Sequence, residues 1–514
     1  MYVRVLTASA AHLIRPAAAY LVRVAGTLIA PVEAIARPAP ICSFQPSRKR
    51  PRAVTESAPW VDTCDDYPLP FVVERVQRLA GAAKKLPVPE GTWAIGAGLI
   101  IVGLSAYGFQ ILAAKRLSND DYNSLNVLWA LVFVFSPGLF QPLEQEVGRA
   151  VSARRARGQG GAPLVKRAAF LGAVLSLIVI VAAIVFHTRI IDQMFNGRGV
   201  LLLALFVAII CYYAAYITRG TLSGNGRFGA YGLMHGSEGT VRIAACGVLF
   251  VAGVSTVGFW GFALAAPPMF AVLISLRGQH DLLRPGPEAP YSELSGALAW
   301  LLLGSVLAQL LSYASVFGVN YFKTDSQADI AAHFITGLFI ARVPLLMFQA
   351  VQAALLPKLA GLASEGKHDD FRSGMKRLIA VVIVLCVGGT IAATFVGPWL
   401  GQKLFTTKWD LGSRDMFLLT LAATAFILAL TMAQGLIALK AYRENAFVWI
   451  AAIVGFVVAV SLGHDLILRN ELAFLAGGTV AALGMALLLF PRMRRGGATL
   501  EDLVQVVEHE TLEI

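Results

Sequence analysis

The stretch FITGLFIARVPLLMFQAVQAALLPK, from Phe334 to Lys358, decides how the chain is read. Its length suits one helical crossing of a bilayer, yet Arg342 lies inside it, followed by Pro344, Gln349 and Gln352. At about 100° per residue, Arg342, Gln349 and Gln352 fall within a sector of roughly 80°, with Leu, Ile, Val, Phe and Ala opposite. An Arg in the middle of a spanning helix costs about 2.5–3.5 kcal/mol to insert, so it normally faces a protein interior or a wet cavity. The stretch is expected to line a polar, positively charged cavity within the membrane.

A second stretch has the same organisation. FSPGLFQPLEQEVGRA, from Phe135 to Ala150, sets Pro137, Phe140, Gln141 and Gln145 against Pro344, Phe348, Gln349 and Gln352 when one-residue shifts are allowed. Gln141, Glu144, Gln145 and Gly148 share one helical face, so this helix also carries a polar stripe. Paired interrupted hydrophobic segments in corresponding halves of a chain point to the central site of a transporter.

The composition agrees with a membrane protein. Of 514 residues, 57% are hydrophobic and only 14% charged, where a soluble globular chain is nearer a quarter charged. The net charge of +12 does not indicate nucleic acid, because the basic residues recur in short loops between apolar runs. Cys211, Cys246 and Cys386 lie in apolar segments, and no CxxC or Cys/His ligand spacing occurs. Neither a metal site nor a disulfide framework is expected. There is no GxxxxGK[ST] phosphate loop, so ATP hydrolysis is not indicated either.

Hydropathy predicts an all-α integral membrane protein with twelve spans in two six-helix lobes. The first six are expected at 92–114, 125–147, 168–186, 200–217, 243–257 and 259–276. The second six are expected at 297–319, 333–356, 378–400, 415–439, 446–462 and 472–490. This gives an N-terminal cytoplasmic region (1–90), an N-lobe (91–277), an inter-lobe linker (278–294), a C-lobe (295–491) and a tail (492–514). The N-terminal region contains SRKRPR at Ser47 to Arg52 and reads as a solvated tail followed by a surface helix; the last residues read as a short acidic surface helix. Even-numbered loops carry about twice the Lys and Arg of odd-numbered ones, which places the even loops and both termini in the cytoplasm.

Three motifs in order then carry a resemblance. AAKRLSNDDYNSL (Ala113 to Leu125) follows the first span and resembles the A-x-x-L-S-x-x-x-Y-G signature of polysaccharide exporters, with Asn123 in place of the usual Gly. RGTLSGNGRFGAYG (Arg219 to Gly232) is similar to that family's Gly/Arg-rich loop, and Gly337 to Ala360 resembles the start of its second half. Over about residues 90 to 495 the chain resembles the multidrug/oligosaccharidyl-lipid/polysaccharide (MOP) flippase superfamily, on its Wzx-like polysaccharide branch.

The resemblance implies two lobes around a central cavity open alternately to either side. It also implies a lipid-linked (polyprenyl-pyrophosphate) saccharide as substrate, in the cytoplasmic membrane. Membrane lipids and the polymerase or glycosyltransferases of the same pathway are the further partners it implies. On this reading Arg342 is suited to phosphate, because a guanidinium stays charged and pairs bidentately. Gln141, Gln145, Gln349 and Gln352 would bond sugar hydroxyls, with Glu144 beside them. No catalytic group and no cofactor are required, since flipping is a shift between two conformations.

Bland readings compete with these. Arg342 could instead pair with Glu144 or Glu146 across the lobes, and the glutamines could be interhelical glue. Glu238 and Arg242 read as a local i,i+4 pair at the foot of the fifth span, and Arg219 and Arg227 as topology and turn residues. Ser118 and Asp121 read as a capping box on an external surface helix. A cation-coupled drug antiporter is disfavoured because 92–114 contains no Asp or Glu, while a peptidoglycan-precursor (lipid II) flippase stays open. The competing class is a polyprenyl-phosphate-sugar glycosyltransferase or polymerase using Asp120 and Asp121, which would need larger external loops than this chain has.

Overall fold

A computed structural model of the chain describes residues 92–289, 298–345, 367–404, 409 and 411–494. The expectations for residues 1–91 and 495–514, and for Gln349 and Gln352, lie outside them.

Twelve long helical passages are present among the described residues. In the first half they are α1 (Thr92–Arg116), α2 (Asn119–Ala156), α3 (Ala162–Val185), α4 (Val200–Gly224), α5 (Phe228–Val251) and α6 (Val257–Ser275). In the second they are α7 (Leu298–Phe322), α8 (Ala328–Leu345), α9 (His368–Leu404), α10 (Ser413–Ala438), α11 (Tyr442–Leu462) and α12 (Leu466–Arg494). Eleven of them are long and apolar enough to cross a membrane. Their packing repeats. In the first half α1 packs on α5, α2 on α4, α3 on α4, α4 on α6 and α5 on α6; adding six to each number gives pairs that also pack in the second half, where α7 meets α12 as well. Across the halves, α2 packs on α7 and α8.

Both interrupted helices are where the sequence placed them. In α2, Pro137 removes a backbone donor and the helix widens into a π turn over Ser136–Phe140 before resuming at Gln141. In α8 the regular helix stops at Ala341. Arg342 caps it with a tightened turn, its N–H bonding the Phe339 carbonyl at 3.1 Å, just before Pro344. Arg342 is thus at a helix break and not in mid-helix as expected.

The twelfth passage, α5, departs most from expectation. Its span was expected at 243–257, but the helix begins fifteen residues earlier, at Phe228. His235, Glu238 and Arg242 depress the hydropathy of its first half, and all three are buried against neighbouring helices rather than set in a loop. The supposed Gly/Arg-rich loop is likewise mostly helix. Only Asn225–Arg227 connects α4 to α5, with Gly226 in the left-handed region at φ 71°.

The glycines of RGTLSG have a packing role. A Cβ on Gly220 would lie 2.6 Å from the Glu144 carbonyl oxygen, and one on Gly224 would lie 2.7 Å from Val151 Cβ. This small-xxx-small pair lets α4 lie directly on α2, the usual device where lipid supplies no hydrophobic drive between helices. Gly220→Val should therefore separate α2 from α4 at a cost of about 1–3 kcal/mol, seen as a lower unfolding temperature in detergent. An unchanged melting point would show that the two backbones are not pressed together there.

Two further expectations change. Ser118 does cap a helix, its Oγ accepting from the Asp121 N–H at 3.2 Å, but that helix is α2 itself and not a surface helix. Arg154, counted as a loop charge, is buried in the last turn of α2. It donates to the carbonyls of Pro287 at 2.8 Å and Glu288 at 3.0 Å, holding the inter-lobe linker against the α2–α3 turn.

Candidate functional site

Arg342 sits where α1, α7 and α8 meet, only 7% exposed. Its guanidinium donates to the Ser312 carbonyl of α7 and lies 4.7 Å above the centre of the Tyr313 ring. A cation over an aromatic face gains about 2 kcal/mol or more when water is excluded. From α1, the Tyr107 hydroxyl donates to the Phe339 carbonyl at 3.2 Å, one turn before Arg342. Among the described residues no carboxylate joins this group: Glu144 accepts from the Tyr231 hydroxyl at 2.8 Å, and Glu146 is bonded by Arg149 at 2.5 Å. The inter-lobe pairing with Glu144 or Glu146 is not what holds Arg342 in this conformation.

The polar stripe of α2 divides. Gln141 and Glu144 are half-buried, whereas Gln145 is exposed. Of the site residues read from the sequence, the structure brings Glu144 into a polar group with α4 and α5, and places Arg342 on the α7 side of α2.

A second group of charges was missed. Glu238 of α5 is buried between two guanidiniums: Arg219 of α4 pairs with its Oε2, and Arg242 reaches its Oε1 at 2.5 Å. Arg242 also donates to the Tyr212 hydroxyl at 3.0 Å and to Ser105 Oγ of α1 at 3.2 Å. Tyr212 passes its own proton toward Glu238 Oε1 at 3.3 Å, and Arg219 lies 4.9 Å over the Tyr216 ring. The i,i+4 pair of Glu238 and Arg242 is real, then, but it is one edge of a buried network joining α1, α4 and α5. Arg219, taken as a topology charge, is 4% exposed and belongs to it.

The signal for this network is periodic. At about 100° per residue, Tyr212, Tyr216 and Arg219 share one stripe of α4, and Tyr231, His235, Glu238 and Arg242 share one stripe of α5. Placing the start of the fifth span at Ile243 cut the second stripe off. Aromatic rings connect the two charged groups across the halves. Tyr313 stacks on Phe133 of α2 at 6.4 Å between centroids, and Phe133 meets Tyr212 edge-on at 5.9 Å. The chain of contacts from Arg342 to Glu238 therefore runs Tyr313, Phe133, Tyr212.

Among known proteins, it is the solved structures that match the fold. No protein-family model matches the chain. It is 24% identical over 410 residues to the uncharacterized protein Rv3630 of Mycobacterium tuberculosis H37Rv, covering 77% of this chain and 91% of that one. It is 25% identical over 428 residues to the uncharacterized protein Rv1510 of the same strain, covering 79% and 94%. Among solved structures, a MATE transporter crystallised with MaL6 superposes with a TM-score of 0.62 at 13% identity, covering 80% of this chain and 97% of that one. An inward-facing multidrug-resistance MATE-family transporter of the MOP superfamily gives 0.57 at 16% identity, covering 81% and 97%. A MOP-superfamily transporter from Pyrococcus furiosus, whose binding pocket has reversed polarity, gives 0.60 at 13% identity, covering 79% and 95%. The chain is a multi-pass membrane protein with the MATE/MOP transporter fold.

Proposed function

We propose that this protein is a membrane transporter of the Wzx-like type, flipping a lipid-linked saccharide from the cytoplasmic to the outer face of the membrane by alternating access. The observation that carries the reading is Arg342. A permanently charged guanidinium lies between the halves of a transporter fold, held by a carbonyl and a tyrosine ring instead of a carboxylate. Its charge is left for an anionic ligand, and a pyrophosphate linking lipid to sugar supplies one with geometry suited to a guanidinium. Tyr107 and Tyr313 beside it give flat apolar faces with polar tips, the usual lining for a sugar ring. The sequence motifs at Ala113 to Leu125 and Gly337 to Ala360 support the same branch.

α1 contains neither Asp nor Glu, which speaks against a drug antiporter built on a carboxylate in that helix. The sidedness rests on the excess of Lys and Arg in even-numbered loops.

The test is purified protein in liposomes with a fluorescent polyprenyl-pyrophosphate saccharide in the inner leaflet, followed by its accessibility to an external quencher. Protein-dependent transfer that is insensitive to cationic dyes supports the proposal. No transfer, with cationic dye moving instead under an imposed proton or sodium gradient, assigns the protein to the antiporters.

A further inference from the structure

We infer that one end of the α2–α8 contact is a latch: a polar clasp over an aromatic plug that closes the cleft between the halves on the side of the odd-numbered loops. It rests on the alternating-access reading above, but not on the identity of the substrate.

The contacts run down α2 from its first turn. The Asn119 side-chain amide donates to Asp329 Oδ1 at the start of α8, and Asn123 Nδ2 donates to the Ala328 carbonyl at 2.9 Å. One turn deeper the Tyr122 hydroxyl, buried, is 3.0 Å from Gln110 Oε1 of α1 and 3.3 Å from Thr336 Oγ1 of α8. Below that, Trp129 meets Phe339 edge-on at 5.7 Å between centroids. Asn119, Tyr122, Asn123 and Trp129 lie on one side of α2 at helical spacing, so a single face carries the seam. At the mouth, Arg198 pairs with Asp121 in the first turn of α2 and ties it to the connection before α4.

Proton counting makes Tyr122 the pin. Thr336 spends its proton on the Ala332 carbonyl at 2.9 Å, so in its bond with Tyr122 it must accept. Tyr122 then has no proton left for Gln110, whose buried Nε2 has no partner as oriented. Turning the Gln110 amide over lets it donate to Tyr122, which donates to Thr336, which donates to Ala332. That relay joins α1, α2 and α8 with one proton per bond. Three helices from both halves are fastened at one buried hydroxyl, and the clasp has to break for a ligand to leave at this end. The clasp groups are amides, hydroxyls, carbonyls and a carboxylate, which water rehydrates on opening, and beneath them the Trp129–Phe339 contact has to part as well. The clasp can therefore both close and release.

The experiment reads access and not transport. In the full-length chain with its five cysteines replaced by alanine, Ala332→Cys places a thiol at a position 3% exposed, just beneath the clasp. A membrane-impermeant maleimide is applied in liposomes, and His464→Cys, in an exposed loop at the same end, reports full access and sidedness. With the clasp intact the Ala332→Cys thiol should react slowly. Adding Tyr122→Phe and Asn123→Ala removes two clasp bonds and should raise the labelling rate about tenfold, or about 1.4 kcal/mol in the open-to-closed ratio. A rise of less than twofold overturns the latch. So does labelling of Ala332→Cys as fast as His464→Cys before any clasp residue is changed. Thermal unfolding of each variant in detergent separates local opening, with an unchanged midpoint, from general loosening, which also counts against the proposal. Failure here with saccharide transfer intact would reject the latch and leave the proposed function standing.

Discussion

Glu238→Gln is expected to destabilise the protein by about 3–5 kcal/mol, the usual cost of removing one partner from a buried ion pair. The reason is the charge left behind. Two guanidiniums, Arg219 and Arg242, converge on the one carboxylate, and each is more than nine-tenths buried. Without it they face each other in a medium of low dielectric, where repulsion is strong and water cannot solvate them. The glutamine keeps the size of the side chain, so the loss cannot be blamed on a cavity. Thermal or denaturant unfolding in detergent, followed by tryptophan fluorescence, measures it. Replacing the whole network, as Arg219→Met, Glu238→Gln and Arg242→Met together, should recover much of the loss, because no uncompensated charge is then buried. A single Glu238→Gln variant within 1 kcal/mol of wild type would mean that the carboxylate does not hold both guanidiniums in solution.

The second large effect is on transport. Arg342→Ala should lower the rate of saccharide transfer in liposomes tenfold to a hundredfold or more, corresponding to about 1.5–3 kcal/mol for a hydrogen bond to a charged group. Arg342→Lys keeps the charge but gives up the planar fork and the stack over Tyr313, so it should recover only part of the rate. The pair of variants separates headgroup contact from mere positive potential: full recovery by lysine would leave only the potential. Normal transport by a folded Arg342→Ala protein would remove the observation on which the proposed function stands. Among the described residues Arg342 meets a backbone carbonyl and a ring and no opposite charge, so its loss strands no buried ion there. Arg342→Ala should therefore be far milder for stability than Glu238→Gln, and the two predictions can be told apart on one melting curve.

The enzyme alternative loses some of its basis in the same geometry. Asp121 caps the first turn of α2 through Ser118 and is paired with Arg198. It is committed to holding the end of a helix.

What the sequence determined alone was the membrane frame and its repeat. Long apolar runs with charges confined between them have one stable solution in a bilayer, helices that satisfy their own backbone, and that can be read from composition and length. Pro137 and Pro344 likewise announced two interrupted helices, because a missing donor breaks the ladder whatever surrounds it. Tertiary structure decided the places where polarity faces inward. Glu238, Arg242 and His235 make the start of α5 look like a loop, and only burial against α1 and α4 turns that polarity inward. Gly220 and Gly224 read as turn residues until α2 lies across them. Arg342 was visible as an anomaly from the first, but whether it met a carboxylate, a carbonyl or a ring depended on how α7 and α8 pack. Hydropathy sums the water preference of a segment. It carries no information on which face of a helix meets which neighbour, and the buried charges of this protein are arranged on those faces.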